Sequence, residues 1–177
     1  MRSTKLMVLV LTCGFIAFWL FSTSVLAESP TVLWKDIIGI IQAGNVVGSG
    51  TGQLTGGGEP WSTMEGSAQV NLKTGMVKFL VKGLVFAGGN PIGTPDGVTE
   101  VVGTLVCDTD GSAGTGNSVF VDTDPVPLST QGNAQFVGNV GVLPAVCLSE
   151  PDIAFLIRAS RAGVAGAWIA NGSVRKP

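Results

Sequence analysis

The stretch from Gly66 to Phe86, GSAQVNLKTGMVKFLVKGLVF, decides the fold. Val77, Phe79 and Val81 alternate with Met76, Lys78, Leu80 and Lys82, the two-residue period of a strand with one wetter face. Upstream, Ala68 and Val70 alternate with Gln69 and Asn71. Between the two runs, Leu72-Lys73-Thr74-Gly75 reads as a turn, with Asn71 suited to start it and Gly75 able to take a positive φ. A three-residue loop sets Val70 opposite Lys78. A four-residue loop sets Val70 opposite Val77 and Ala68 opposite Phe79. Directly opposed residues share a face of a sheet, so only the four-residue loop gathers the apolar groups on one side. The expected element is a hairpin in that register.

Working outward, the N-terminus reads as an export signal. Arg2 and Lys5 form a positive region, Leu6–Phe21 is almost wholly apolar, and Val25 and Ala27 stand where a signal peptidase reads small residues. The expected organisation is a signal peptide over residues 1–27 and one exported β-domain over residues 28–177, with no membrane span after cleavage. The mature chain carries eight basic against twelve acidic residues, a net charge of −4, and no basic cluster. Nucleic acid is therefore not an expected partner. Two cysteines outlast processing, Cys107 and Cys147, and in an oxidising compartment they are expected to pair.

Glycine is abundant (26 residues) and charge is sparse (12%), which suits many turns and short strands better than helices. Val32–Ile41 reads as a strand, and Asn45–Leu54 as a glycine-containing strand that another backbone approaches closely. Thr55–Ser62 and Ala87–Gly97 read as loops. Val98–Cys107 carries Val or Leu on both parities and so must be covered on both faces, as a central strand is. Ser118–Val121, Ala134–Val140, Ile153–Arg158 and Ala165–Val174 complete the strands, and Pro144–Pro151 reads as a loop carrying Cys147. Gly66–Val70 and Phe79–Lys82 have echoes in Gly132–Phe136 and Phe155–Arg158, as two similar hairpins or as chance likeness between amphipathic strands. The expected fold is an all-β antiparallel sandwich or closed barrel of about eight strands, one domain with one disulfide.

The run Pro60-Trp61-Ser62-Thr63, the hairpin, Gly88-Gly89-Asn90, Ile92-Gly93-Thr94-Pro95, Val101–Cys107, Phe155–Arg158 and Trp168–Gly172 resembles a family of small exported bacterial β-domain proteins. Gly66–Leu84 alone also resembles the opening hairpin of CHRD-type domains, which are secreted β-rich modules. The CHRD pattern has histidines after that hairpin, where this chain has none, so no metal or redox role is carried over from it. Neither resemblance supplies an activity.

The missing residue types narrow the chemistry further. The chain has no histidine and no tyrosine, which removes serine–histidine and cysteine–histidine devices, histidine zinc sites and a phenolic acid. Catalytic residues are therefore assigned to none. Carboxylates remain, but Glu59, Glu65, Asp96, Glu100 and Asp152 lie in or beside loops and nothing in the sequence pairs them as a glycosidase requires. Asp108-Thr109-Asp110-Gly111 has the opening of a calcium loop, although Val119 stands where a bidentate glutamate would be expected. Calcium, held by Asp108 and Asp110, is the one cofactor the sequence brings into view. Trp61, with Glu59 beside it and Trp34 as a second indole, is the candidate ligand-binding set, while Trp168 is expected in the core. Asn171-Gly172-Ser173 matches a glycosylation sequon, which carries meaning only in a eukaryotic host. The expectation is a non-enzymatic secreted, periplasmic or cell-envelope module that binds or builds, with a glycan or an envelope protein as the partner class. The alternative is a carbohydrate-active protein, either a tryptophan-based glycan binder or a carboxylate-dependent hydrolase.

Overall fold

The computed structural model describes residues 31–149, 152–172 and 175–176. The signal peptide expected over residues 1–27 and Ser173 of the sequon lie outside the described residues. In chain order the strands are β1 (Thr31–Trp34), β2 (Ile37–Gly39), β3 (Val46–Val47), β4 (Leu54–Thr55) and β5 (Trp61–Ser62). There follow β6 (Glu65–Asn71), β7 (Met76–Lys82), β8 (Val85–Phe86), β9 (Glu100–Cys107) and β10 (Val119–Asp122). The last are β11 (Val126–Pro127), β12 (Ala134–Asn139), β13 (Ile153–Arg161), β14 (Val164–Gly172) and β15 (Arg175–Lys176), with one helical turn, α1 (Val146–Ser149), before β13. Eight of these strands have four residues or more, which is the count the turn spacing implies; the others are two- and three-residue pieces.

The hairpin forms as its pattern requires. β6 and β7 pair antiparallel with Val70 opposite Val77 and Ala68 opposite Phe79. Asn71 starts the turn: its Oδ1 accepts the N–H of Lys73 (3.1 Å) and of Thr74 (2.9 Å), and its carbonyl accepts the Gly75 N–H (2.9 Å). Gly75 closes the turn at φ 72°. Val70, Val77, Phe79 and Val81 are buried, whereas Lys78 and Lys82 are exposed.

Two sheets are built on this hairpin, and no closed barrel forms among the described residues. The first is antiparallel, in the order β12-β7-β6-β1-β15. The second runs β10-β9-β13-β14-β2, with β11 also paired to β9. Opposed residues share a face, so the register Leu105–Phe155 and Gly103–Ile157 puts all four on the side of the second sheet that meets the first. There Phe79 lies 5.9 Å from the Phe136 ring and 6.0 Å from Phe155, and Phe155 lies 5.5 Å from Trp34. Gly103 makes this approach workable, since a Cβ there would stand 2.8 Å from ring atoms of both Phe79 and Phe155. β9 is buried from Val101 to Cys107, as the double apolar parity requires of a central strand.

Cys107, at the end of β9, is joined to Cys147 on α1, with Cα atoms 5.1 Å apart across 40 residues of chain. Closing a loop of that length stabilises the fold by about 4 kcal/mol in the chain-entropy description.

Four sequence-based expectations need correction. Val32–Ile41 is two strands: Lys35 and Asp36 carry the chain from β1 in the first sheet to β2 in the second. Asn45–Leu54 is a short ribbon strand followed by a 3₁₀ turn at Gly50–Gly52, although the close backbone approach is real, with Ser118 packed against Gly48 and Gly52. The second echo is not a hairpin. β12 pairs with β7, with Phe136 opposite Phe79, and β13 lies in the other sheet, so the intervening Cys147 segment crosses between layers. Finally, Trp61 is not in a loop but in β5, paired with Phe86 of β8.

Candidate functional site

Both tryptophans of the expected ligand-binding set are in the core. Trp61 is 4% exposed and its ring lies 4.1 Å from Phe86. Trp34 is 2% exposed against Phe155. Neither offers an indole face on which a sugar ring could stack, and only Glu59 of the set is exposed. The physical reason is local. The Trp61 N–H donates to the Ile40 carbonyl (2.7 Å), which draws the residue under the loop rather than on top of it. Trp168 is buried as expected, its Nε1–H donating to the Leu54 carbonyl (3.2 Å).

The carboxylates are scattered. Glu65 pairs with Lys82 at 2.7 Å on the exposed face of the hairpin, and Glu100 Oε2 accepts the Gly163 N–H at 3.4 Å. Asp96 and Asp152 are exposed at separate loops. Among the described residues no three of His, Cys, Asp and Glu converge on one point.

Asp108 and Asp110 do come together. Asp108 is 1% exposed, its backbone is left-handed at φ 55°, and its Oδ1 accepts the Ala113 N–H at 3.1 Å. Asp110 is exposed, and its Oδ1 accepts the Ser112 N–H at 2.9 Å. That N–H first, then the Ser112 hydroxyl, hold the Asp110 carboxyl below the usual carboxylate range; slight desolvation opposes them and the neighbouring Asp108 carboxyl adds to them. The loop is tied to the ribbon: the Ser118 hydroxyl donates to the Asp108 carbonyl (2.7 Å) and accepts the Ser49 N–H (2.7 Å).

A concave feature of larger volume lies elsewhere, beside β2 at the edge of the second sheet. The β3–β4 ribbon, whose ladder ends in Gly56 N–H to the Asn45 carbonyl (2.7 Å), is held to β14 by a backbone bridge between Gly56 and Trp168 and by Gly57 N–H to the Trp168 carbonyl (2.9 Å). Between the ribbon and β2, a groove of about 640 Å³ opens. Ile38, Ile41, Val46 and Val47 supply its apolar lining, and Gln42, Asn45 and Asn171 its polar groups; no lining residue is ionisable. Ile38 (43%), Ile41 (82%) and Val46 (47%) are well exposed at its rim. A concave, mostly aliphatic surface with a few neutral amides suits recognition of a neutral, partly apolar molecule.

Sequence reasoning missed this groove. Its residues come from β2, the following turn and β3, which the sequence had assigned to two continuous strands. The available signal was Ile41-Gln42-Ala43-Gly44-Asn45, a turn-like run next to an isoleucine that no strand face needs.

It also missed Arg158, which is 8% exposed in the outer face of β13. Its Nε–H donates to the Gly166 carbonyl (2.8 Å), Nη2 to the Ala165 carbonyl (2.9 Å), and Nη1 to both oxygens of Asp122 (3.3 Å each). The Thr104 hydroxyl donates to Asp122 Oδ1 (2.6 Å), and the Phe120 ring centroid lies 5.6 Å from the guanidinium. Both carbonyls lie opposite the irregular stretch of the β13–β14 register around Arg158, and the arginine caps them. Its donors are spent on structure, so it offers little to a ligand.

No family model matches the chain, and no curated protein or solved structure matches it either. What the molecule itself defines is a class: a disulfide-linked, two-sheet antiparallel β-sandwich. Among the described residues no helix is long and apolar enough to cross a membrane.

Proposed function

We propose that the protein is a non-enzymatic module of the secreted space or the cell envelope, akin to the small exported bacterial β-domains its motifs resemble, and that it works by binding. The observation that carries this reading is the groove beside β2, where exposed Ile38, Ile41 and Val46 surround neutral amides with no ionisable side chain in the lining. Such a lining holds a ligand by apolar burial and orients it by amide hydrogen bonds, and it has no acid or base with which to transform it. The disulfide is in keeping with an oxidising compartment.

Titration with N-phenyl-1-naphthylamine, a neutral apolar fluorophore, tests the groove, and a glycan array run beside it tests the sugar alternative. The expected result is saturable fluorophore binding that Ile41→Asp weakens at least about tenfold while the melting midpoint stays within about 2 °C of the parent, because Ile41 is 82% exposed. Fluorophore binding untouched by Ile41→Asp would remove the groove as the site. Glycosidase turnover abolished by a single Glu→Gln change would replace the reading with the hydrolase alternative.

A further inference from the structure

We propose that the Asp108–Ser112 loop binds a calcium ion, with the Asp108 and Asp110 carboxylates as its anionic ligands and the Ser112 hydroxyl as a neutral one. The starting point is an unsatisfied atom. Asp108 Oδ2 is fully buried and has no hydrogen-bond partner in the protein, although the other oxygen of the same carboxylate has one. Leaving a buried carboxylate oxygen unpartnered is costly, and more so for an ionised group than for a neutral one.

The partners of the two aspartates do not meet this demand. Asp110 stands two residues on, and among the described residues Asp108 and Asp110 take the backbone N–H groups of Ala113 and Ser112, with no lysine or arginine paired to either. A carboxylate oxygen can only accept, so Oδ2 calls for a donor or a cation beside it. A cation held by the Asp108 and Asp110 carboxylates supplies that partner.

The donor set selects the kind of cation. Carboxylate and hydroxyl oxygens without nitrogen or thiolate favour a hard ion over zinc or copper. The loop from Asp108 to Ser118 is rich in glycine and adopts an irregular path, including the left-handed Asp108. Calcium accepts such irregular, expandable oxygen shells, whereas magnesium demands near-octahedral geometry at shorter distances and gives up its waters reluctantly. With only two carboxylates the affinity belongs to the weak class of extracellular modules, with a Kd of order 10⁻⁴–10⁻³ M. The anchorage is also suitable. The loop starts at the disulfide-bonded Cys107 and is tied by Ser118 to Ser49, so ion binding would stiffen the junction between the second sheet and the ribbon.

The test uses the purified protein, calcium chloride and magnesium chloride, with EGTA as the metal-free reference. Thermal melts in 10 mM calcium should exceed those in EGTA by about 3 °C or more, with magnesium giving less than half of that shift. Asp110→Asn should remove at least about three-quarters of the calcium shift, and calorimetric titration should show a Kd weakened at least about tenfold. Asp110 is exposed, so this variant keeps its fold and its midpoint in EGTA stays near the parent value. Equal melting points in calcium and EGTA, with no heat of binding up to 10 mM, would mean that no cation partners Asp108 Oδ2, and the proposal fails. A full calcium shift retained by Asp110→Asn would place the ion elsewhere and overturn it equally.

Discussion

Gly75 and Arg158 show how single residues hold this fold by opposite means. Gly75 contributes by what it lacks. It sits at φ 72°, and a Cβ there would run into the Gly141 carbonyl, while its own carbonyl accepts the Val140 N–H at 3.0 Å. Gly75→Val should therefore cost about 2 kcal/mol or more, through a β-branched residue forced left-handed and a lost tie to the segment after β12. A urea melt reads this directly; a silent substitution would mean that the turn is built differently. Arg158 contributes by what it reaches. Arg158→Ala leaves the Gly166 and Ala165 carbonyls and Asp122 without their partner, and because the Asp122 side chain is a third exposed, the cost sits near 2–3 kcal/mol rather than the ~3–5 of a wholly buried pair. Arg158→Lys keeps the charge but loses the fork of N–H donors, so it should recover less than about half of that loss. If lysine restores full stability, the interaction is one of charge and not of geometry.

At the scale of elements, the disulfide ties the connection between β12 and β13 to the end of β9. α1 holds Cys147 between β12 of the first sheet and β13 of the second, and Cys107 closes the end of β9. Replacing Cys107 and Cys147 by serine should lower stability by about 4 kcal/mol, seen as a lower urea midpoint, and Cys107 and Cys147 of the parent should take up no thiol label until it is unfolded and reduced. A double variant with an unchanged midpoint would show that α1 is held by packing alone. The elements legible in the sequence were those with a strong two-residue period and a matching partner. β6, β7 and β9 stand where alternation and parity put them, because one-sided or two-sided burial leaves a direct mark on residue types. The boundary between β1 and β2 left no such mark. Trp34 and Ile37 are both buried, one in each sheet, and only the exposed charged pair Lys35-Asp36 between them marks where the chain changes layer. The echo at β12 and β13 stayed open in the sequence for a related reason, since local likeness of strands says nothing about which sheet each one joins; the pairing removes the second-hairpin alternative. The groove was illegible because it needs the short β2 and β3 segments set beside Trp168 and Asn171 of the remote β14, and Trp61 because its burial depends on pairing with Phe86 of β8, 25 residues on.

For the molecule as a whole, the packed core and the proposed groove occupy different places. The core lies between the facing sheets and is aromatic at its centre, around Phe79, Phe136, Phe155 and Trp34. The proposed binding groove lies beside β2, and the Asp108–Ser118 loop joins the end of β9 to β10, so a substitution at exposed Ile41 should leave the core closed. That separation depends on one face of the 66–86 hairpin being the inner wall of the sandwich. The most direct measurement is a pair of urea melts, on Phe79→Ala and on its sequence neighbour Lys78→Ala. Phe79 is 3% exposed between two other phenylalanines, so its loss should cost about 3–5 kcal/mol, a large part of the ~5–15 kcal/mol that holds a domain together. Lys78 is exposed on the opposite face, and its truncation should stay within about 0.5 kcal/mol. A difference of about 2.5 kcal/mol or more between the two costs is the predicted result; comparable costs for the two variants would contradict the account, because they would place both faces of β7 in the core.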